Sequence, residues 1–429
     1  MAEDGNGPQK SPVWQEGCAN KREKKRVLSG ELNSAGASVG NESCQSKRLK
    51  AGTVENPMAT LCECFSEVKD PRVNRLRRHL FLDIIVIAML AVIANADTWK
   101  DIHIWGETHR AWLGSYLALP NGIPSRDTFR RTISRIDPQA FQNAFLRWLR
   151  GLRKGLQGIV AIDGKTLRGS RWREESPLHI VSAWATEQHL TLGQRQVDDK
   201  SNEITAIPEV LKLLSLHGCT VTIDAMGCQT EIASQIRQQG GHYVLALKGN
   251  QSGLEDDMGQ LYEEAVNCDF AGFHQDIHET HEKGHGREEQ RICEVIEIPK
   301  DHPQRERWKD LRTLVMLTCC RIVAGVESWE TRLYITSRAP KAKELLSAIR
   351  KHWGIENTQH WSLDVTFGED WRRQQDRNGA ANLAAIRRLA LSLLRQEKSN
   401  KRGLKNKRLA CALDPNYLLK VLNAAEIDA

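Results

Sequence analysis

The 429-residue chain has no two cysteines spaced as Cys-x-x-Cys, although it holds eleven cysteines. That absence removes the commonest structural-zinc and dithiol patterns. The count is odd, several cysteines lie inside apolar runs, and no secretory-type leader opens the sequence. Reduced, mostly buried thiols of an intracellular protein are expected. Long apolar runs are missing as well. The most apolar stretch, residues 80–96, is broken by Asp83 and Asn95, with eleven uninterrupted apolar residues between them. That is too few to span a bilayer and suits a core helix. No charge of one sign dominates: 61 Lys and Arg stand against 54 Asp and Glu. A net charge of +7 permits a nucleic-acid partner without demanding one. With 40% apolar and 27% charged residues, a globular protein of two or three domains is expected.

Residues 1–57 are rich in Ser, Gly, Asn and Lys and carry no sustained apolar period, so disorder is expected there. Two basic clusters, "KREKKR" at 21–26 and "SKRLK" at 46–50, suit nuclear import, a nucleic-acid tail or a merely solvated tail. Residues 58–155 read as helical. In "SRDTFRRTISRIDP", Ser125 can cap a helix, Asp127 suits its positive end, and Phe129, Ile133 and Ile136 recur at helical spacing. Arg126, Arg130, Arg131 and Arg135 lie off that apolar stripe. They form either a DNA-phosphate face or a solvated one.

From 156 to 396 the rhythm becomes strand, strand, strand, helix, strand, helix, strand, an α/β domain with a mixed sheet. Residues 251–340 turn β-rich again. A long helix from 342 into 361 follows, then another at 380–395. The segment 397–429 reads as a basic tail, with six Lys or Arg and no acid between 398 and 408.

Two short β-branched runs end in aspartate: "IVAIDGKTLRGS" at Asp163 and "TVTIDAMGCQT" at Asp224. Carboxylates are costly inside a protein unless compensated. Parallel strands joined by a helix present their carboxyl ends on one edge, where sites gather. Further on, "IRKHWGIENTQHWSLDV" carries His352, Glu356, His360 and Asp364 four residues apart, on one slowly winding helical face. Trp353 and Ile355 lie close to that stripe, which places it toward the interior. Two strand-end aspartates and a helix glutamate would make an oxygen-rich pocket for Mg²⁺ or Mn²⁺. Two such ions suit in-line phosphoryl displacement.

The motifs "AIDGKTLRGS", "DDKSNEITAIPEVL", "VTIDAMGCQTEIA", "YVLALKGNQ", "EKGHGR" and "HWGIENTQHWSLDVTFGED" resemble the DDE transposases of the H-repeat-associated insertion-sequence group. The resemblance spans roughly residues 59 to 395. It implies a ribonuclease H-like mixed sheet flanked by helices, α/β in class, with a β-rich insertion before the last acid and a helical domain in front. It also implies Asp163, Asp224 and Glu356 as catalytic triad and metal ligands, two Mg²⁺ or Mn²⁺ ions, and a homodimer assembled on DNA. The substrate would be double-stranded DNA, as transposon ends and as target. Lys165, Arg168 and Lys248 would contact phosphates, or else form structural salt bridges. Where the wider relatives carry a tyrosine, an arginine and a lysine around the glutamate, this chain has Ile349, His352 and His360, weaker phosphate grips. After "FGED", the group usually shows two arginines two residues apart; Arg373 fits that pattern and Gln375 does not.

One further cluster, His274, His278, His281 and His285, has spacings that a zinc-binding helix could use. Gly284 and Gly286 interrupt such a helix, so a loop touching phosphate through His285 and Arg287 is the stronger expectation. The reading is therefore an intracellular, DNA-associated transposase with no membrane partner, in a bacterial nucleoid or, given the basic extension, a nucleus. A domesticated DNA-binding descendant and a metal nuclease without strand transfer remain alternatives.

Overall fold

The computed structural model describes residues 57–151, 157–197, 203–284 and 286–424. The segment before residue 57, with both its basic clusters, and His285 lie outside these. Nine strands build one mixed sheet: β1 (Ile159–Thr166), β2 (His179–Ala185), β3 (Leu190–Val197), β4 (Thr220–Ile223), β5 (His242–Leu247), β6 (Gln275–Gly284), β7 (Arg287–Glu297), β8 (Thr313–Val323) and β9 (Val326–Thr336). Their order is β3-β2-β1-β4-β5-β9-β8-β7-β6. β1, β4 and β5 are parallel neighbours, and every other pairing is antiparallel. The first five strands form a mixed α/β core in the order β3-β2-β1-β4-β5, with helices packed on both sides of the sheet.

The segment 251–340 does not stand apart from that core. It opens with a helix, Ser252–Asn267, whose Leu254, Met258, Leu261 and Ala265 recur at helical spacing and are buried. Its last strand, β9, then pairs with β5 and extends the same sheet. Strand β6 departs from the sequence reading, which left this histidine-rich stretch as a helix or loop. It is the outer strand, with exposed or half-buried residues on both sides, so no alternation marks it. Within a strand, His278 and His281 fall on opposite faces, so these two do not share the helical zinc-binding face their spacing allowed.

The helical part also packs differently from a separate domain. Phe81–Ile93 is a core helix with residues 83–93 all buried. No helix among the described residues is long and apolar enough to cross a membrane. The same apolar cluster includes Leu383–Leu394 positions of the helix Arg377–Gln396, and Cys411, Leu418, Val421 and Leu422. The expected basic tail is thus two helices, Leu404–Leu413 and Pro415–Asn423. Its apolar residues cluster at 409–413 and 417–422, past the run of lysines and arginines at 398–408 that marked the segment as basic. Ser125 does cap Arg126–Ile133, accepting from the Thr128 amide at 3.3 Å. Arg126, Arg130, Arg131 and Arg135 on that helix and just past it are exposed. Every cysteine among the described residues is a free thiol.

Candidate active site

Ile162 of β1 is in register with Ile223 of β4. Asp163 and Asp224 are the next residues on these parallel neighbours, whose backbones run about 4.8 Å apart. Asp224 follows the last residue of β4, whereas Asp163 lies within β1, three residues before its end. The two acids therefore stand side by side where β4 stops, and the expectation that both close a strand holds for Asp224 alone. Alternation puts Asp163 on the same face as Ala161, and Ala161 packs with Trp184 and Ile355. That face is covered by the helical run that carries Glu356.

This run is not one α-helix. Ala342–His352 is followed by a π-helical segment, Ile355–His360, and a short α-helix, Trp361–Val365. Its four-residue stripe meets the sheet residue by residue. His352 Nδ1 lies 3.0 Å from the Thr222 hydroxyl, two residues before Asp224. His360 Nδ1 lies 3.5 Å from Asp163 Oδ2. Asp364 accepts from Lys165 Nζ at 2.8 Å. Glu356, between the two histidines, lines a cleft of roughly 740 Å³ with Asp224, Lys248, Thr222 and Trp353.

Burial, reinforced by the charges of Asp224, Glu356 and Glu203, pushes the Asp163 carboxyl up to about 8, although the Gly164 amide donates to it at 2.8 Å. Burial drives the imidazoles the other way, His352 down to about 4 and His360, with help from Arg388 and Lys165, down to about 3. Both histidines are therefore neutral and turned inward, so the phosphate contacts expected of His352 and His360 are replaced by Thr222 and Asp163. Lys165 is corrected in the same way. Only 7% exposed, it is held by Asp364 and by Asp370 at 3.3 Å. Arg168 is different: its side chain is 82% exposed, 3.6 Å from Asp370. Lys248 is exposed at the cleft rim.

The residue-by-residue reading missed the groups that support these acids. Behind Gly164, His179 Nε2 and Glu203 Oε1 meet at 2.6 Å in the interior, and the Thr166 hydroxyl lies 2.9 Å from His179 Nδ1. A side chain at Gly164 would collide with both. Glu369 and Asp370 of "FGED" engage Arg388 at 3.2 Å and Lys165 respectively. The signal was present, because Glu203, Glu369 and Asp370 all stand inside motifs quoted for the resemblance, but no local pattern assigned them partners.

Asp163, whose ionisation burial and the charges of Asp224 and Glu356 make costlier, joins these two as hard oxygen donors of the kind a divalent cation takes. The nearby Lys165 is already committed to other acids. Among the described residues, no three His, Cys, Asp or Glu side chains are placed so as to hold a metal ion.

The family described as "Transposase DDE domain" matches residues 154–393, and "DDE_Tnp_1-associated" matches 62–149. The chain is 40% identical over 370 residues to "Putative transposase YncI" of Escherichia coli O157:H7, covering 85% of this chain and 94% of that one. It is 38% identical over 372 residues to "H repeat-associated putative transposase YhhI" of Escherichia coli K12, covering 84% and 97%. A shorter relative, "Inactive transposase YbfQ" of the same strain, is 42% identical over 57 residues, 13% of this chain and 68% of its own. A piggyBac transposase synaptic complex with hairpin DNA superposes at a TM-score of 0.39 with 11% identity, over 85% of this chain and 79% of that chain. That likeness is too distant to carry an argument. With two family matches running end to end over the helical part and the sheet, and relatives alike over nearly their whole length, the chain belongs to the DDE transposases of the H-repeat-associated group.

Proposed function

We propose that the chain cuts DNA at the terminal inverted repeats of an insertion sequence and joins the freed 3′-hydroxyls to target DNA. The observation that supports this reading is that Asp163 and Asp224 lie side by side on adjoining parallel strands, with Glu356 close to both on the covering helical run. Asp163, Asp224 and Glu356 would hold Mg²⁺ or Mn²⁺. Bound there, such ions would supply Lewis-acid activation of the nucleophile and neutralisation of charge on the phosphate. The protein's own part is positioning. Gly164 and His360 orient the Asp163 carboxylate, and Thr222 holds His352 as a neutral wedge between helix and sheet. Lys248, Arg168 and the arginines at 126, 130 and 131 are exposed cations suited to backbone phosphates.

In the first step a water attacks a phosphodiester, and its proton leaves to solvent as the 3′-oxygen departs. In the second, the freed 3′-hydroxyl attacks a target phosphodiester, so one bond forms as another breaks. Asp163→Asn and Glu356→Gln should each abolish cleavage of an end-labelled repeat in Mg²⁺, with repeat binding kept within a few-fold. Cleavage by either variant at the wild-type rate would overturn the assignment. A wild-type protein that cuts but yields no joined product in the same assay is a nuclease instead.

A further inference from the structure

Beyond the carboxylates, β1 runs into the loop "LRGSRWREE", which docks on the loop after "FGED". The Gln374 amide donates to the Gly169 carbonyl at 3.0 Å, and the Arg168 amide to Asp370 at 3.4 Å. Gly169 sits so close to the Arg372 backbone that a side chain there would collide with it. The two loops therefore form one surface, starting five residues past Asp163. Its composition is unusual for solvent-facing protein. Trp371 is 86% exposed, the most exposed large apolar side chain among the described residues, and Trp172 is 39% exposed. Arg173 stacks on Trp172 with its guanidinium 5.4 Å from the ring.

The charge on this surface is basic in balance where it faces solvent. Four exposed arginines, Arg168, Arg171, Arg173 and Arg373, stand against two exposed acids, Glu174 and Glu175 at the far end of the first loop. The acids of the partner loop are consumed internally: Glu369 by Arg388, Asp370 by Lys165, and Asp376 by capping the Gly379 amide. Exposed arginines match phosphates. An exposed indole face has no comparable partner on paired DNA, whose base faces are already stacked. It finds one on an unpaired strand, where base–aromatic stacking is independent of sequence.

Resting on the DNA-cutting reading above, we propose that these loops form a platform for an unpaired DNA strand, the flank that separates next to the carboxylates when an end is opened. Trp371 stacks a base, and Arg171 and Arg373 hold the adjoining phosphates. A second copy of the chain is the other occupant an exposed tryptophan could serve, and the measurement separates the two. Fluorescence anisotropy in EDTA would compare a blunt labelled duplex with the same duplex bearing an oligothymidine tail of about eight nucleotides. The tail should raise wild-type affinity roughly tenfold, in line with one stacked base. Trp371→Ala should lose that gain and Trp371→Phe largely restore it, with blunt-duplex affinity unchanged. Arg171→Ala with Arg373→Ala should lower the salt slope on the tailed probe by about 1.4, as for two phosphate contacts on a single strand.

A tail that adds nothing to wild-type binding would overturn the platform, as would a Trp371→Ala loss equal on both probes. So would a Trp371→Ala protein that binds both probes normally but sediments as a smaller species. Wild-type protein that binds neither probe would sink the DNA reading itself. Tail-dependent binding without cleavage would support the platform while sinking only the cutting chemistry.

Discussion

Asp163 is a carboxylate for which folding makes ionisation harder. Its proton is held up to about pH 8 in the fold, against an ordinary carboxylate value near 4. A raised carboxyl stabilises the fold below its unfolded value, and that contribution is lost as pH climbs toward the folded one. Chelated protein should therefore lose several degrees of Tm between about pH 5 and about pH 8. Asp163→Asn should flatten most of that decline, and Mg²⁺ should offset it in the wild type by taking the proton's place. Thermal denaturation across pH, with and without EDTA, checks this. An unchanged slope in Asp163→Asn would locate the strain elsewhere. The aspartate itself was legible in the sequence because a carboxylate ending an apolar β-branched run is locally anomalous. Its neighbours Glu203 and His179 were not, since their meeting behind Gly164 joins a strand to a helix and leaves no periodic trace.

At the scale of the element, the run around Glu356 shows why a stripe in sequence was informative. Four-residue steps drift about 40° each on an α-helix, so four such residues would wind away from a flat sheet. The π-helical segment Ile355–His360 has a wider turn and counters that drift. The result is contact from His352 on Thr222 through His360 on Asp163 to Asp364 on Lys165. Deleting the exposed Asn357 should convert the segment to an α-helix and rotate His360 and Asp364 by about 100°. Cleavage should fall about a hundredfold through misplacement, with far-UV helicity unchanged. Cleavage kept at the wild-type rate would show that the wide turn has no part in placing the acids. The stripe was visible beforehand, but the π geometry was not, because the surrounding packing selects it rather than any local residue preference.

For the molecule as a whole, the segments before and after the sheet share one core. Arg408, fully buried, donates to Thr366 O at 2.7 Å and Val92 O at 2.9 Å, pairs with Asp97, and lies 4.0 Å over the Phe367 ring. Trp99 Nε1 donates to Gln374 at 2.8 Å. These contacts tie the first helices and the last ones to the loop beyond Glu356. Removing one member of a buried pair leaves the other charge unsolvated, at a cost of about 3–5 kcal/mol. Asp97→Ala should lose about that much stability in urea unfolding, whereas Asp97→Leu with Arg408→Met should lose much less. Equal losses in the single and double variants would mean that the pair is not what joins the two ends. The basic tail expected at 397–429 failed at this scale. Charge counts described residues that the fold buries, and Lys407 and Arg408 are buried with backbone carbonyls and acids around them.

By itself the sequence singled out the candidates: two aspartates following apolar β-branched runs, with Glu356 joined to them by the family resemblance. The aspartates stand out because a carboxylate in an apolar run is costly. Only the tertiary structure decided which cations remain exposed. Lys165 meets an acid 199 residues away, while Arg168, three positions further on, stays in solvent. Ion pairing depends on which distant segments the packing brings together, and a side chain's own neighbours in the chain hold no record of that.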